Sequence, residues 1–182
     1  MGIFRNSGEV CVAGSRLLVE DKIHNEFLKL VSEYSQKLKI GDPLEIKNDV
    51  GAINSLSQLQ SDLDFVEKAK SEGGNIEIGG NRILKSSGGF YMEPTIISSV
   101  KQDTEVFQNE VFGPILTVTA FSNEDEAIKL ANGTDFGLAS GIWTSNLSRA
   151  HKMVKKIKGG TVFVHTYGGS DNTIPLTGVK QS

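Results

Sequence analysis

From Arg16 onward, short runs of β-branched and aromatic residues alternate with longer stretches whose apolar positions recur every three to four residues. The first unit predicts a strand over residues 16–19 and a helix over 22–39, with Ile23, Phe27, Leu30, Val31, Tyr34 and Leu38 on one face and Gly41-Asp-Pro43 as its stop. A second helix is predicted over 55–71, where Leu56, Leu59, Leu63, Val66 and Lys70 track a face before Gly73-Gly74 ends it. Gly79, Gly80, Gly88 and Gly89 bracket a turn-rich segment, and residues 91–97 have strand character interrupted by Pro94, as in an edge or bent strand. Residues 115–121 give a cleaner strand after Gly113-Pro114. Capping and acidic residues at 122–126 then open a helix through Ala127, Ile128, Leu130 and Ala131, which Asn132-Gly133 closes. The phrase repeats as strand 139–144, helix 147–157 capped by Ser145 or Asn146, Gly159-Gly160, and strand 161–164. Strand and helix in alternation predict an α/β fold: a mostly parallel sheet flanked by helices.

Composition narrows the function classes. A chain of 182 residues with 38% hydrophobic and 23% charged content can bury its own core. A net charge of -3 and a pI near 5.6 provide no basic footprint for phosphates, so nucleic acid is not an expected partner. No apolar run approaches the ~18 residues needed to span a bilayer, and residues 1–8 have neither a charged n-region nor an apolar h-region. A cytoplasmic protein with no membrane partner is expected. His24, His151 and His165 are scattered without ligand spacing, so no metal is expected. Arg149, Lys152, Lys155, Lys156 and Lys158 crowd one helix and read as an exposed face. A single cysteine cannot form an internal disulfide, so Cys11 needs another account.

Cys11 lies in Phe4-Arg-Asn-Ser-Gly-Glu-Val-Cys11-Val-Ala-Gly-Ser-Arg16, a glycine-punctuated, small-residue segment. A nucleophilic thiol needs a stabilised thiolate and an open approach for a carbonyl carbon. Gly8 and Gly14 permit a tight turn, and a helical turn opening at Cys11 would lower the thiol pKa through its backbone amides. The residues alone read instead as a small buried hydrophobe.

The segment resembles the active-site signature of the aldehyde dehydrogenase superfamily through Phe4, Asn6, Gly8, Glu9, Cys11, Ala13, Gly14, Ser15 and Arg16. Two further blocks resemble the same family in the same order: Asn109-Glu-Val-Phe-Gly-Pro114, and the stretch from Leu138 through Gly160-Thr-Val-Phe-Val164 to Pro175-Leu-Thr-Gly-Val-Lys-Gln181. Trp143-Thr-Ser-Asn-Leu-Ser-Arg-Ala150 and Asp171-Asn-Thr-Ile-Pro175 look most like members that oxidise aminoaldehydes such as the gamma-glutamylated ones. The resemblance implies the catalytic-domain fold of that family over residues 1–182. It implies Cys11 as the nucleophile that forms a thiohemiacetal and then a thioester with a small-molecule aldehyde, its backbone N–H as an oxyanion donor, and NAD or NADP as hydride acceptor. It implies Glu110 against the nicotinamide ribose hydroxyls and Phe112 near the nicotinamide ring; without it, Glu110 reads as a surface acid and Phe112 as a core residue.

Departures qualify the likeness. Family members carry a dinucleotide-binding domain ahead of the cysteine, with the glycine-rich loop, the general base and an oxyanion-hole asparagine. All of these would precede residue 1, and the last oligomerisation strand would follow residue 182. A fragment is therefore expected, one that binds no cofactor alone and self-associates through surfaces a partner would cover. Leu176 and Thr177 stand where Pro-Phe-Gly-Gly is usual, which puts the pocket contact of Leu176 in question, and His165 stands where asparagine is common. A non-catalytic remnant or assembly module, and a redox-responsive thiol protein, are the alternatives.

Overall fold

The computed structural model describes residues 2–169 and 173–182. In chain order a 3-10 turn (Arg5–Gly8) leads into strand β1 (Arg16–Glu20), helices α1 (Asp21–Ser35) and α2 (Leu56–Ser71), strand β2 (Asn75–Ile78), and the short strands β3 (Arg82–Ile83) and β4 (Tyr91–Met92). Strand β5 (Thr95–Ser98), the one-turn helix α3 (Glu105–Gln108), β6 (Ile115–Phe121), α4 (Glu124–Ala131) and β7 (Phe136–Gly137) follow. The chain continues through β8 (Ala139–Ile142), α5 (Leu147–Lys156), β9 (Thr161–Val164) and β10 (Val179–Lys180).

Four strands form one sheet in the order β1-β6-β5-β2. Both β1 and β5 lie parallel to β6, with Arg16 opposite Thr117 and Thr95 opposite Ile115. The period of two along these strands sends successive side chains to opposite layers. Ile97 and Ile115 join Leu59, Val66 and Phe107 under α2, while Ile96, Leu116 and Val118 join Ile3, Phe4 and Val19, with Leu28 and Val31 of α1 packed over them. The parallel strands, the flanking helices and the strands over Ile115–Phe121 and Thr161–Val164 agree with expectation.

Other features differ. β2, hidden in sequence between glycine pairs, adds an antiparallel edge, so the sheet is mixed. Pro94, which has no N–H to give a ladder, divides the 91–97 run into β4, paired with β3, and β5 in the main sheet. β8 and β9 form a separate parallel pair rather than extending the sheet. Helix α1 stops at Ser35, where the amides of Lys37 and Leu38 tighten to three-residue bonds on Tyr34 and Ser35. Its apolar face is also split: Leu28, Val31 and Leu38 pack inward, whereas Ile23, Phe27, Leu30 and Tyr34 are exposed. On α2 the buried stripe is Leu59, Asp62, Val66 and Ala69, rotated from the expected face so that Leu56 and Lys70 stand outside. Arg149 and Lys152 of the basic helix bind Glu124 of α4, tying α5 to α4.

Candidate active site

The segment ahead of β1 is held by its own packing and by its main chain. Ile3 and Phe4 are buried against the sheet, Ser7 Oγ donates to the Gly51 carbonyl at 3.0 Å, and Gly14 N donates to Gly2 O at 3.0 Å. Asn6 and Ser7 adopt left-handed backbone at φ 51° and 56°, which turns the chain sharply back on itself. Gly8 continues this path at φ 78°, and a Cβ there would lie 2.0 Å from the carbonyl oxygen of Gly113. Only glycine lets the two backbones touch. Cys11 follows, exposed, in a turn closed by Ala13 N donating to Val10 O at 2.8 Å. The helical start considered for Cys11 is absent: the chain passes from this turn into extended backbone and β1, so the thiol has no helix terminus behind it.

Glu110, Val111 and Phe112 arrive from the other side. After the one-turn α3, the parallel registry of β6 with β1 and β5 places the 109–114 segment beside the Cys11 segment. Arg16 fastens the join: its Nε donates to the Phe107 carbonyl, its Nη2 donates to Asn109 O at 3.1 Å, and its guanidinium carbon lies 5.8 Å from the Phe107 ring centre. Burial lowers the Arg16 pKa from its ordinary value, and the charge of Glu110 opposes that shift. Beside the Gly8–Gly113 contact a cavity of about 20 Å³ remains between the two segments, with Val10 and Ala13 on one wall and Glu110, Val111 and Phe112 on the other. That is room for about one water.

Cys11, Glu110 and Phe112 are thus brought onto adjoining segments, and all three are exposed. Phe112, expected as a core residue on the residues alone, instead holds left-handed backbone at φ 61° and is 38% exposed. The Glu110 carboxylate makes no hydrogen bond or ion pair among the described residues, so its acceptor oxygens are open. Leu176 is in another part of the fold, 47% exposed, in the loop between β9 and β10 that crosses Gly160. The ring of Tyr167, held by Trp143 and Phe163, reaches the cysteine segment: a Cβ on Gly14 would lie 3.4 Å from it. His24, His151 and His165 form no metal cluster among the described residues. Asp171 and Asn172, part of the aminoaldehyde likeness, lie outside the described residues.

The sequence pattern carries no signal for Tyr167, and Arg16 reads in it as a motif position and the first residue of a strand, not as a fastening. Asp62 was missed as well, although the spacing Leu59, Asp62, Val66 is itself a buried helical stripe.

The model of the aldehyde dehydrogenase family matches residues 1–182. The chain belongs to the aldehyde dehydrogenase family. Among curated relatives, the NADP/NAD-dependent aldehyde dehydrogenase PuuC of Escherichia coli is 39% identical over 100% of this chain and 36% of its own. Betaine aldehyde dehydrogenase of Rhizobium etli is 37% identical over 100% of this chain and 38% of its own. A crystal structure of an indole-3-acetaldehyde dehydrogenase with NAD+ superposes with a TM-score of 0.97 at 42% identity, covering 99% of this chain and 36% of that one. The chain therefore spans little more than a third of the aldehyde dehydrogenases it matches. Two of those relatives are named for different aldehydes, betaine aldehyde and indole-3-acetaldehyde. No helix among the described residues is long and apolar enough to cross a membrane.

Proposed function

We propose that residues 1–182 are the cysteine-bearing catalytic portion of an NAD(P)-dependent aldehyde dehydrogenase, and that Cys11 is its nucleophile. The single observation that carries this is the exposed Cys11 turn packed, glycine on glycine at Gly8 and Gly113, against the segment that presents Glu110 and Phe112. The Cys11 thiolate adds to the aldehyde carbon to give a thiohemiacetal, and water later releases the thioester as a carboxylate. The Cys11 backbone N–H, which donates to nothing among the described residues, suits a developing oxyanion.

NAD or NADP fits the neighbouring residues by donor set. Glu110 offers an exposed carboxylate with no hydrogen-bond partner among the described residues for two ribose hydroxyls, and Phe112 an exposed ring for a flat heterocycle. When bound, the nicotinamide supplies the acceptor for the hydride that leaves the thiohemiacetal carbon. Leu176 is proposed as a wall of the aldehyde pocket, and an aminoaldehyde as the substrate class.

The polypeptide 1–182 on its own is expected to give no turnover, because positioning the nicotinamide against the adduct is worth ~7–11 kcal/mol in favourable intramolecular cases. Production of NADH or NADPH by the purified chain with an aldehyde would overturn that expectation. The nucleophile is tested separately, with p-nitrophenyl acetate and mass spectrometry. An acetyl group on Cys11, formed faster than on glutathione at the same pH and absent in Cys11→Ser, supports the reading. Acylation no faster than glutathione overturns it. Self-association is proposed through exposed apolar faces such as Ile23, Phe27 and Leu30 of α1, and a dilution-insensitive monomer in sedimentation would exclude it.

A further inference from the structure

Beneath the segment that carries Glu110 and Phe112 lies a carboxyl group that the proposed chemistry does not use. Asp62, on the inward face of α2, is 0% exposed. Its Oδ1 accepts from Gln58 Nε2 at 2.8 Å, and the same amide donates to Val111 O at 3.0 Å, so one side chain bridges the acid to the Glu110 segment. Its Oδ2 has no partner among the described residues. The carboxyl presses on the Gly113 backbone, where a Cβ would lie 2.3 Å from Oδ2. No cation among the described residues pairs with it. The charged group facing it across the junction is Glu9, two residues before Cys11, whose carboxylate accepts from Asn54 N at 3.1 and 3.2 Å.

We propose that Asp62 is a positioning residue whose protonation state sets how firmly residues 110–113 are seated against the Cys11 segment. The inference rests on the reading above only in its bearing on the cofactor; the seating itself stands apart from it. A neutral carboxyl at this place lacks one hydrogen bond. An ionised one leaves a charge with one donor, an orphan oxygen and a like charge nearby, at a place shut off from solvent. The donors the anion needs come only from loosening the main chain over Gly113, or from water entering there. Burial is the main cause that raises the Asp62 carboxyl to about 7; the Gln58 hydrogen bond opposes the rise and Glu9 adds to it. A closed form that holds its proton to about 7, against an open form that loses it near 4, is favoured fully below pH 4. It is weakened as pH rises from there to about 7, and is constant above.

The test uses the 182-residue chain with carbon-13-labelled carboxyl groups. One aspartate titrating near 7 in the wild type and missing in Asp62→Asn is expected; titration of Asp62 in the ordinary carboxylate range overturns the proposal. Hydrogen exchange at the Thr95 and Ile115 amides, which donate to the Pro114 and Gly113 carbonyls at 2.8 Å, reads the seating. After correction for intrinsic exchange, opening is expected to rise by up to tenfold per pH unit between about 4.5 and 7 and then level off. Asp62→Asn should be flat across that window, and a wild type equally flat refutes the coupling. Should Asp62→Asn fail to fold, Glu9→Gln tests the same linkage, since removing the like charge should move the Asp62 midpoint downward; an unmoved midpoint counts against it. These readouts do not involve Cys11 acylation, so either proposal can fail while the other survives.

Discussion

Two regions of this chain are built on different terms. Where the Cys11 and Glu110 segments meet, the main chains touch at Gly8 and Gly113, Arg16 fills two carbonyls, and the residues just behind, Phe4, Val111, Phe107 and Asp62, are buried. Beyond residue 133 the packing thins. Ala150 and Met153 of α5 are the buried hydrophobic residues there among those described, β8 and β9 form a pair on their own, and Trp143, Leu147, Ile174 and Leu176 are exposed. The difference teaches where precision is supplied: the groups proposed for chemistry are exposed, and their placement comes from buried neighbours that the proposed reaction does not use. Substitutions at the junction should therefore cost far more than substitutions of larger side chains in the later region.

The largest effect is expected at Gly8. Alanine there must hold a left-handed φ of 78° and drive a methyl into the Gly113 carbonyl. Left-handed backbone costs ~1–2 kcal/mol and overpacking a further ~1–3 kcal/mol, so Gly8→Ala should lose about 3 kcal/mol or more in urea unfolding. A loss below about 1 kcal/mol would mean that the two backbones do not touch. Gly113→Ala comes next, at about 2–3 kcal/mol, because its methyl meets the Asp62 carboxyl rather than main chain. The double variant with Asp62→Ala should recover part of that loss, while the Gly8→Ala loss should be unchanged by Asp62→Ala.

Arg16→Met keeps much of the buried stem but leaves the Phe107 and Asn109 carbonyls without their donors. The expected loss is about 2 kcal/mol, from one or two charge-assisted hydrogen bonds, together with slower Cys11 acylation as the 109–112 segment loosens. Unaltered acylation in a folded Arg16→Met protein would separate the fastening of the junction from the reactivity of the thiol.

How legible these regions were follows the same division. Ile115–Phe121 and Thr161–Val164 could be read because β-branched runs bounded by glycine and proline admit little else. Asn75–Ile78 could not, since four residues between glycine pairs read as turn; nor could Glu105–Gln108, since one helical turn has no period to detect. In the candidate site, the meeting of the segments that carry Cys11 and Glu110 is set by the pairing of Arg16 with Thr117, a contact across a hundred residues that no local pattern encodes, and the two residues enter one site in the sequence only through family likeness. Asp62 was missed because an acid on an amphipathic helix reads as solvated unless its register with Leu59 and Val66 is followed.

The smallest effect belongs to Leu176, and it sharpens the contrast most. A leucine 47% exposed in the loop over Gly160 has little packing to lose or gain, so Leu176→Phe should change stability by no more than about 0.5 kcal/mol. If Leu176 borders the aldehyde, the same change adds aromatic surface to the pocket, where one group of that kind is worth ~1–3 kcal/mol of discrimination. The rate ratio for Cys11 acylation by p-nitrophenyl benzoate over p-nitrophenyl acetate should then shift several-fold while the unfolding midpoint stays still. A ratio that does not move removes Leu176 from the pocket. It leaves the junction of the Cys11 and Glu110 segments intact, because that junction is held by the β1–β6 pairing, by Arg16 and by Gln58 of α2.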